Sequence, residues 1–385
     1  MKQVIRMIVQ VGLILILFVG LNAYLGWNSY VFLSHYITSL STVWFSIVFC
    51  IIVISYLLGR WWINHPVGRL FKVIGSYYFA LMEFMIILFP VADIAAWLLR
   101  SAGYSNHVVI PVVGWTTIVV LGVLMLWGTF NAWNPILRTY PIPIAKKAGG
   151  HRKLTIAVAS DIHLGNIVGN RHLKRLITGI NKMKPDLILL PGDVIDDSIE
   201  PFIRNNMVES LKQLQATYGV YAVLGNHEYY GGHIEQYVNE MKLAGIQVLQ
   251  DEVITIDNGS ITIVGRKDKT AESMDPAGRL SIQELLQDSD PSKPIIVMDH
   301  QPYGFQIAAE AGTDILLCGH THRGQFAPNH WVTRRLFELD WGYMLKQTMH
   351  VVVSSGFGTW GPPIRLASRS EIIRLDVELT AMTDI

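Results

Sequence analysis

Long apolar runs alternate with short polar breaks over the first third of the chain. Four runs, Val4 to Leu25, Ile37 to Leu58, Val73 to Leu99 and Val108 to Phe130, carry almost no charge. Each reaches the span of about 20 residues that a helix needs to cross the hydrocarbon of a bilayer. The first is too long for the apolar region of a signal peptide and lacks a small-residue cleavage site, so it reads as an anchor. Trp27, Trp61, Trp62, Trp97, Trp115 and Trp133 fall near the ends of these runs, where an indole settles at the headgroup level. The pattern predicts a four-helix transmembrane bundle over residues 1–135. Glu83 and Asp93 interrupt the third run, roughly 80° apart around a helix. They are expected as an outer-interface group (Asp93) and a group paired inside the bundle (Glu83), with Pro90 as a kink site.

Beyond the fourth run, Tyr140-Pro141-Ile142-Pro143 through Gly149-Gly150 reads as a linker over residues 136–152, because prolines disfavour helix and paired glycines add freedom. From Lys153 the pattern changes to short buried runs alternating with helical spacing. Leu154 to Ala159, Leu187 to Leu190, Val220 to Leu224, Ile295 to Met298 and Ile315 to Cys318 read as strands. Arg171 to Met183 has Leu173, Leu176, Ile177 and Ile180 on one helical face, and a second helix is expected over Ile203 to Leu214. Val253 to Ile256 and Ile261 to Val264 flank Asp257-Asn258-Gly259-Ser260, a hairpin signature. Asn258-Gly259-Ser260 also matches a glycosylation acceptor, but the turn reading is preferred. Strand and helix in alternation predict an α/β domain over residues 153–385.

Composition sharpens this division. Of the 385 residues 51% are hydrophobic and 16% charged, against about 25% charged in ordinary soluble domains. The excess lies in residues 1–150. A net charge of +1 argues against a nucleic-acid partner. The two cysteines, Cys50 and Cys318, fall in different halves, so no disulfide is expected and a reducing compartment fits. Basic residues gather on one side of the spans: Lys2 and Arg6, then Arg60, Arg69 and Lys72, then Arg138, Lys146, Lys147, Arg152 and Lys153. The first loop has none and the third only Arg100. Both termini and the α/β domain are therefore expected in the cytoplasm of a multi-pass protein of the cell membrane.

Five predicted strands end in groups suited to metals: Asp161 and His163, Asp193, Asn226 and His227, His300, and His320 and His322. In open α/β sheets ligands bind beyond the carboxyl ends of the strands. Each fragment alone has a bland reading. Gly-Asp is usually a turn, Asn-His a hydrogen-bonding pair, and a lone histidine a satisfied core residue. Together and in order, Asp161-Ile162-His163, Gly192-Asp193-Val194-Ile195-Asp196, Gly225-Asn226-His227-Glu228, His300 and Gly319-His320-Thr321-His322 resemble the calcineurin-like metallophosphoesterase superfamily. With Gly358-Thr359-Trp360-Gly361-Pro362-Pro363 they are most similar to its bacterial membrane-anchored phosphohydrolases. The resemblance spans roughly Lys153 to Leu379.

That resemblance implies a four-layer α/β/β/α sandwich holding two divalent metal ions. Asp161, His163 and His322 would hold one, Asn226, His300 and His320 the other, and Asp193 would bridge them. His227 would act on protons at the leaving group and Glu228 would orient it. Mixed histidine and carboxylate donors suit manganese, iron or zinc more than calcium. Two such ions can share a hydroxide and clamp phosphoryl oxygens. Asp196 reads either as a hydrogen-bonding partner of a ligand or as a helix N-cap. Arg323 reads as a phosphate contact or a solvated side chain, and Arg365 has no position that the sequence defines. The expected activity is hydrolysis of a phosphodiester or pyrophosphate, with membrane lipids as partners and a lipid-linked substrate. The competing readings are a metal-binding regulatory or scaffold protein, a transporter or channel with a regulatory soluble domain, and a hydrolase of soluble nucleotides whose anchor serves localisation.

Overall fold

The structure is a computed structural model that describes residues 2–62, 65–146 and 153–380, with side chains from residue 6. By its internal contacts the chain separates into two compact units, Met1–Trp127 and Gly128–Ile385.

Helices Lys2–Tyr36, Thr42–Trp61, Pro66–Ser101 and Asn106–Trp133, the last of which passes from the first unit into the second at Gly128, are each long and apolar enough to cross a membrane. They outrun the apolar stretches because a helix satisfies its own backbone and continues into the interface until a cap ends it. Ser41 caps the second helix, and Pro66 starts the third at a position where its missing N–H costs nothing. The third helix runs through Pro90. Gly75 lets the second and third helices touch, since a Cβ there would lie 2.3 Å from the backbone nitrogen of Tyr56. Tyr78 donates to Asn22 inside the bundle, whereas Tyr24 donates at 2.5 Å to Asp93, which is exposed. Glu83 is half-buried.

The second unit holds twelve described strands: β1 Ile136–Ile144, β2 Lys153–Val158, β3 Leu187–Pro191, β4 Val220–Val223, β5 Ile246–Leu249, β6 Glu252–Ile256, β7 Ile261–Gly265, β8 Ile295–Met298, β9 Ile315–Cys318, β10 Gly342–Lys346, β11 Met349–Val353 and β12 Glu371–Leu379. They form two six-stranded mixed sheets, ordered β1-β12-β2-β3-β4-β5 and β10-β11-β9-β8-β7-β6. One apolar core lies between the sheets and draws Ile156, Leu189 and Leu375 from the first and Ile263, Ile296 and Leu317 from the second. A second core packs helices Asn170–Met183, Met207–Leu211 and Ile234–Leu243 on the first sheet. A third packs Ile282–Leu286 and Phe305–Glu310 on the other. The result is the expected four-layer sandwich.

Two sequence expectations give way here. The stretch expected as linker is, from Ile136 to Ile144, a strand at the edge of the first sheet, paired in parallel with β12. Ile142 and Ile144 are buried while Pro141 and Pro143 face out. Proline is tolerated at a sheet edge because the open side needs no N–H donor. Arg138 fastens this strand through a 2.5 Å ion pair to buried Glu371. The rest of the expected linker, residues 147–152, lies outside the described residues. The helix expected over Ile203 to Leu214 is instead two single turns, Glu200–Arg204 and Met207–Leu211. They are separated at Asn206, whose φ of 49° no helix accepts.

Candidate metal centre

Strands β2, β3 and β4 of the first sheet and β8 and β9 of the second all end at the same rim of the sandwich. The polar residues that follow them converge there. Asp161, His163, Asp193, His320 and His322 adopt positive φ, between 47° and 73°. Such backbone is costly for non-glycine residues and persists where its surroundings over-determine it, commonly at functional sites. Neighbouring glycines make room. A Cβ on Gly225 would lie 2.1 Å from Asp193 Oδ1, and one on Gly319 would lie 2.2 Å from Asp161 Oδ2. Glycine before Asn226 and before His320 is therefore a packing requirement of the two carboxylates.

Asp161, His163 and His322 form one group and Asp193, His300 and His320 another, with ligand atoms in each within 4.8 Å of one another. His163 Nε2 lies 2.9 Å from His322 Nε2, which is 3.4 Å from Asp161 Oδ1. Asp193 Oδ2 lies 3.0 Å from His300 Nε2 and 3.9 Å from His163 Nε2, so this carboxylate stands between the groups. Asn226 Oδ1 is 3.2 Å from His300 Nε2 and 2.8 Å from His320 Nδ1. His300 Nδ1 lies 2.9 Å from the carbonyl of Pro191, an orientation that aims Nε2 at the cluster. Asp161 is held by the Ser160 hydroxyl and the His320 amide. All seven residues expected as ligands thus gather in one place.

The electrostatics fit a cation site. Burial is the largest influence holding His163 down at about 3, and His227 adds to it. Burial, His163 and Arg365 hold His322 well below the ordinary histidine range. Burial, then His300, lowers His320 to about 4. These rings stay neutral, the form in which imidazole ligates metal. Burial and Asp193 raise the Asp161 carboxyl to about 6, against the pull of His300. Burial opposes ionisation of Asp193, but His300 and His227 outweigh it and hold the carboxyl well below the usual range. His163 Nδ1 is buried without a hydrogen-bond partner. A hydrogen bond between the facing rings of His163 and His322 would leave Asp161 no cation, whereas a divalent ion satisfies all three donors. Burial opposes the charged form of His300, but Asp193 outweighs it and raises that ring well above the ordinary histidine range, so it would give up a proton on ligating. Imidazoles with carboxylate and amide oxygens suit manganese, iron or zinc.

His227 is buried beside Asp193, and its backbone N–H donates to Asp193 Oδ1 at 2.9 Å. Its ring Nδ1 lies 2.6 Å from Asp197 Oδ1 and 3.8 Å from Asp196 Oδ1. Burial disfavours the charged ring, but Asp193, the Asp197 hydrogen bond and Asp196 outweigh it and raise the pKa to about 9. Asp197, which the sequence did not single out, is therefore the group that orients His227. Glu228, expected in that role, accepts instead from the backbone amides of Gly225, Asp193 and Ile195, at 2.7, 3.1 and 3.0 Å. It pins the loops that carry Asp193 and Asn226. The helix after Asp196 begins only at Glu200, so the N-cap alternative falls and Asp196 faces His227. The Arg323 guanidinium stacks over Trp341 at 4.1 Å. Arg365, wholly buried, bonds the carbonyls of Ser355 and Gly358 and the Ser368 hydroxyl, with Nη2 3.1 Å from His322 Nδ1.

Two stacked mixed sheets with such a donor cluster at one rim define a metal-site α/β sandwich. The profile of the calcineurin-like phosphoesterases matches residues 154–324. A metallophosphoesterase of Aquifex aeolicus is 31% identical over 59% of this chain and 85% of its own. One of Campylobacter jejuni is 28% identical over 77% of this chain and 78% of its own. The bovine "Transmembrane protein with metallophosphoesterase domain" is 31% identical over 67% of this chain, and the match spans only 61% of that protein. The chain belongs to the calcineurin-like metallophosphoesterase family.

Proposed function

We propose that the second unit hydrolyses a phosphodiester or pyrophosphate of a lipid-linked molecule at the cytoplasmic face of a membrane. The observation that carries the chemistry is the convergence of seven donors from five strand ends, with His227 against Asp193. Asp161, His163 and His322 would hold one divalent ion, Asn226, His300 and His320 the other, and Asp193 both. Bound there, the ions supply Lewis acidity that polarises the phosphoryl group and makes water acidic near neutral pH. His227 holds a proton against Asp197 and delivers it to the departing oxygen. Asp197 and Asp196 keep the ring charged until then. Trp360 and Tyr230 lie beside the imidazole, with ring centroids at 6.4 and 6.0 Å.

The four spans support the lipid-linked substrate, and the side on which Lys and Arg gather supports the cytoplasmic assignment. Full-length protein in detergent, loaded with manganese or zinc, should turn over a chromogenic phosphodiester. His227→Ala should keep the metal content and lower kcat by ~10²–10⁴-fold, the usual worth of a general acid. Turnover unaffected by the substitution would remove His227 from the chemistry. In lipid nanodiscs, a failure to prefer membrane-embedded over soluble phosphodiesters would remove the lipid reading.

A further inference from the structure

Helix His330–Leu336 follows the His320-Thr321-His322 loop and has no buried residue. Trp331, Val332 and Leu336 are 64%, 56% and 66% exposed, and Arg334 and Arg335 are exposed among them. A helix of seven residues does not persist in water on its own. Several large apolar side chains displayed together mark a surface that meets something other than water.

The base of this helix is fixed to a particular place in the second unit. Gln325, just before it, donates to the carbonyls of Trp360 and Pro362 at 2.9 and 3.1 Å and accepts from the Trp360 amide at 3.1 Å. The Leu366 amide donates to the Gln325 carbonyl at 3.0 Å. That same loop is tied to the first residues of the second unit, which finish the fourth apolar helix. The Arg365 amide donates to Gly128 at 2.9 Å, Asn131 Nδ2 donates to the Arg365 carbonyl at 3.1 Å, and the Ser370 amide donates to Asn131 at 3.1 Å. One network of hydrogen bonds thus joins the end of an apolar helix, the wall of the metal centre and the base of the exposed helix. Trp360, 55% exposed, stands on this wall beside His227.

We propose that helix His330–Leu336 and Trp360 form a rim that rests in the headgroup layer of an anionic bilayer. Trp331, Val332, Leu336 and Trp360 enter the apolar boundary, and Arg334 and Arg335 face lipid phosphates. The occupant follows from two observations. A helix apolar enough to cross a membrane ends in the network that holds the rim. The exposed face also combines indole and aliphatic groups with paired arginines, the composition of interfacial helices drawn to anionic lipid. The rim would present headgroup phosphoesters to the metal centre. That consequence rests on the hydrolase reading, whereas the docking does not.

The test uses full-length Cys50→Ser protein, one chain per nanodisc, with an environment-sensitive fluorophore on Leu336→Cys; the remaining Cys318 is buried. The discs contain phosphatidylserine and a headgroup nitroxide lipid. Quenching should be several-fold stronger than for the same fluorophore on Leu243→Cys. Adding Arg334→Glu and Arg335→Glu should lower it several-fold while turnover of a soluble phosphodiester is unchanged. Quenching no greater at 336 than at 243 overturns the proposal, as does a blue-shifted emission without quenching, which would mark a protein partner. Turnover of the soluble diester is read separately, so loss of hydrolysis with docking intact condemns only the hydrolase reading.

Discussion

Asp193 answers to several groups at once. One oxygen faces His300, the other accepts from the His227 amide, and its own amide is held by Glu228. The family resemblance of the sequence implied such a residue, a carboxylate set between two groups of ligands. Asp197 was not legible, since its role depends on the turn that brings it 2.6 Å from His227 Nδ1. Asp197→Asn should lower kcat with metal content intact, because the ring loses the carboxylate that fixes its orientation and charge; steady-state kinetics beside metal analysis check this. His172 makes a prediction about stability. Its ring stacks on Phe357, and burial, then Arg175 and Arg365, lowers it to about 4 despite a bond to the Phe357 carbonyl. The folded ring stays neutral, while the unfolded ring takes up a proton as pH falls below 6.5. Stability is therefore complete above 6.5 and declines down to about 4, by about 3 kcal/mol in all. Between pH 6.5 and 5, urea midpoints of metal-loaded His172→Phe should fall less than those of the parent.

At the scale of elements, apolar runs bounded by turn residues were read correctly as β2, β3, β4, β8 and β9, and Asp257 to Ser260 as the β6–β7 turn. The two errors differ in cause. Pro141 and Pro143 speak against structure locally, yet an edge strand leaves one side unpaired and β12 supplies the partner. Asn206 breaks the helix by taking the left-handed backbone that asparagine tolerates better than most residues, a local signal that the apolar spacing outweighed in the helical reading. Strand β1 yields a direct prediction. A fragment beginning at Lys153 should aggregate, because removing β1 bares the edge of β12 and the pocket of Ile142 and Ile144. A fragment beginning at Asn134 should stay monomeric, and size-exclusion chromatography distinguishes the two.

At the scale of the whole molecule, the chain divides into a unit of apolar helices and a unit of two sheets. Metal should matter to both stability and turnover of the second. Chelation removes the cations that Asp161, buried beside the neutral rings of His163 and His322, and Asp193 would face, so it should abolish turnover and lower the melting temperature. At metal a hundredfold above Kd the loss is about 3 kcal/mol, and manganese or zinc should restore both. By itself the sequence determined the spans, the alternation of strand and helix, and the identity of the metal-type residues, because hydropathy, period and side-chain chemistry are local properties. Tertiary structure alone decided that Asp197 rather than Glu228 meets His227, that Arg365 backs His322, and that a proline-rich stretch is a strand. Each of those depends on which segments the fold brings together, at the rim or at a sheet edge, and no local pattern encodes that.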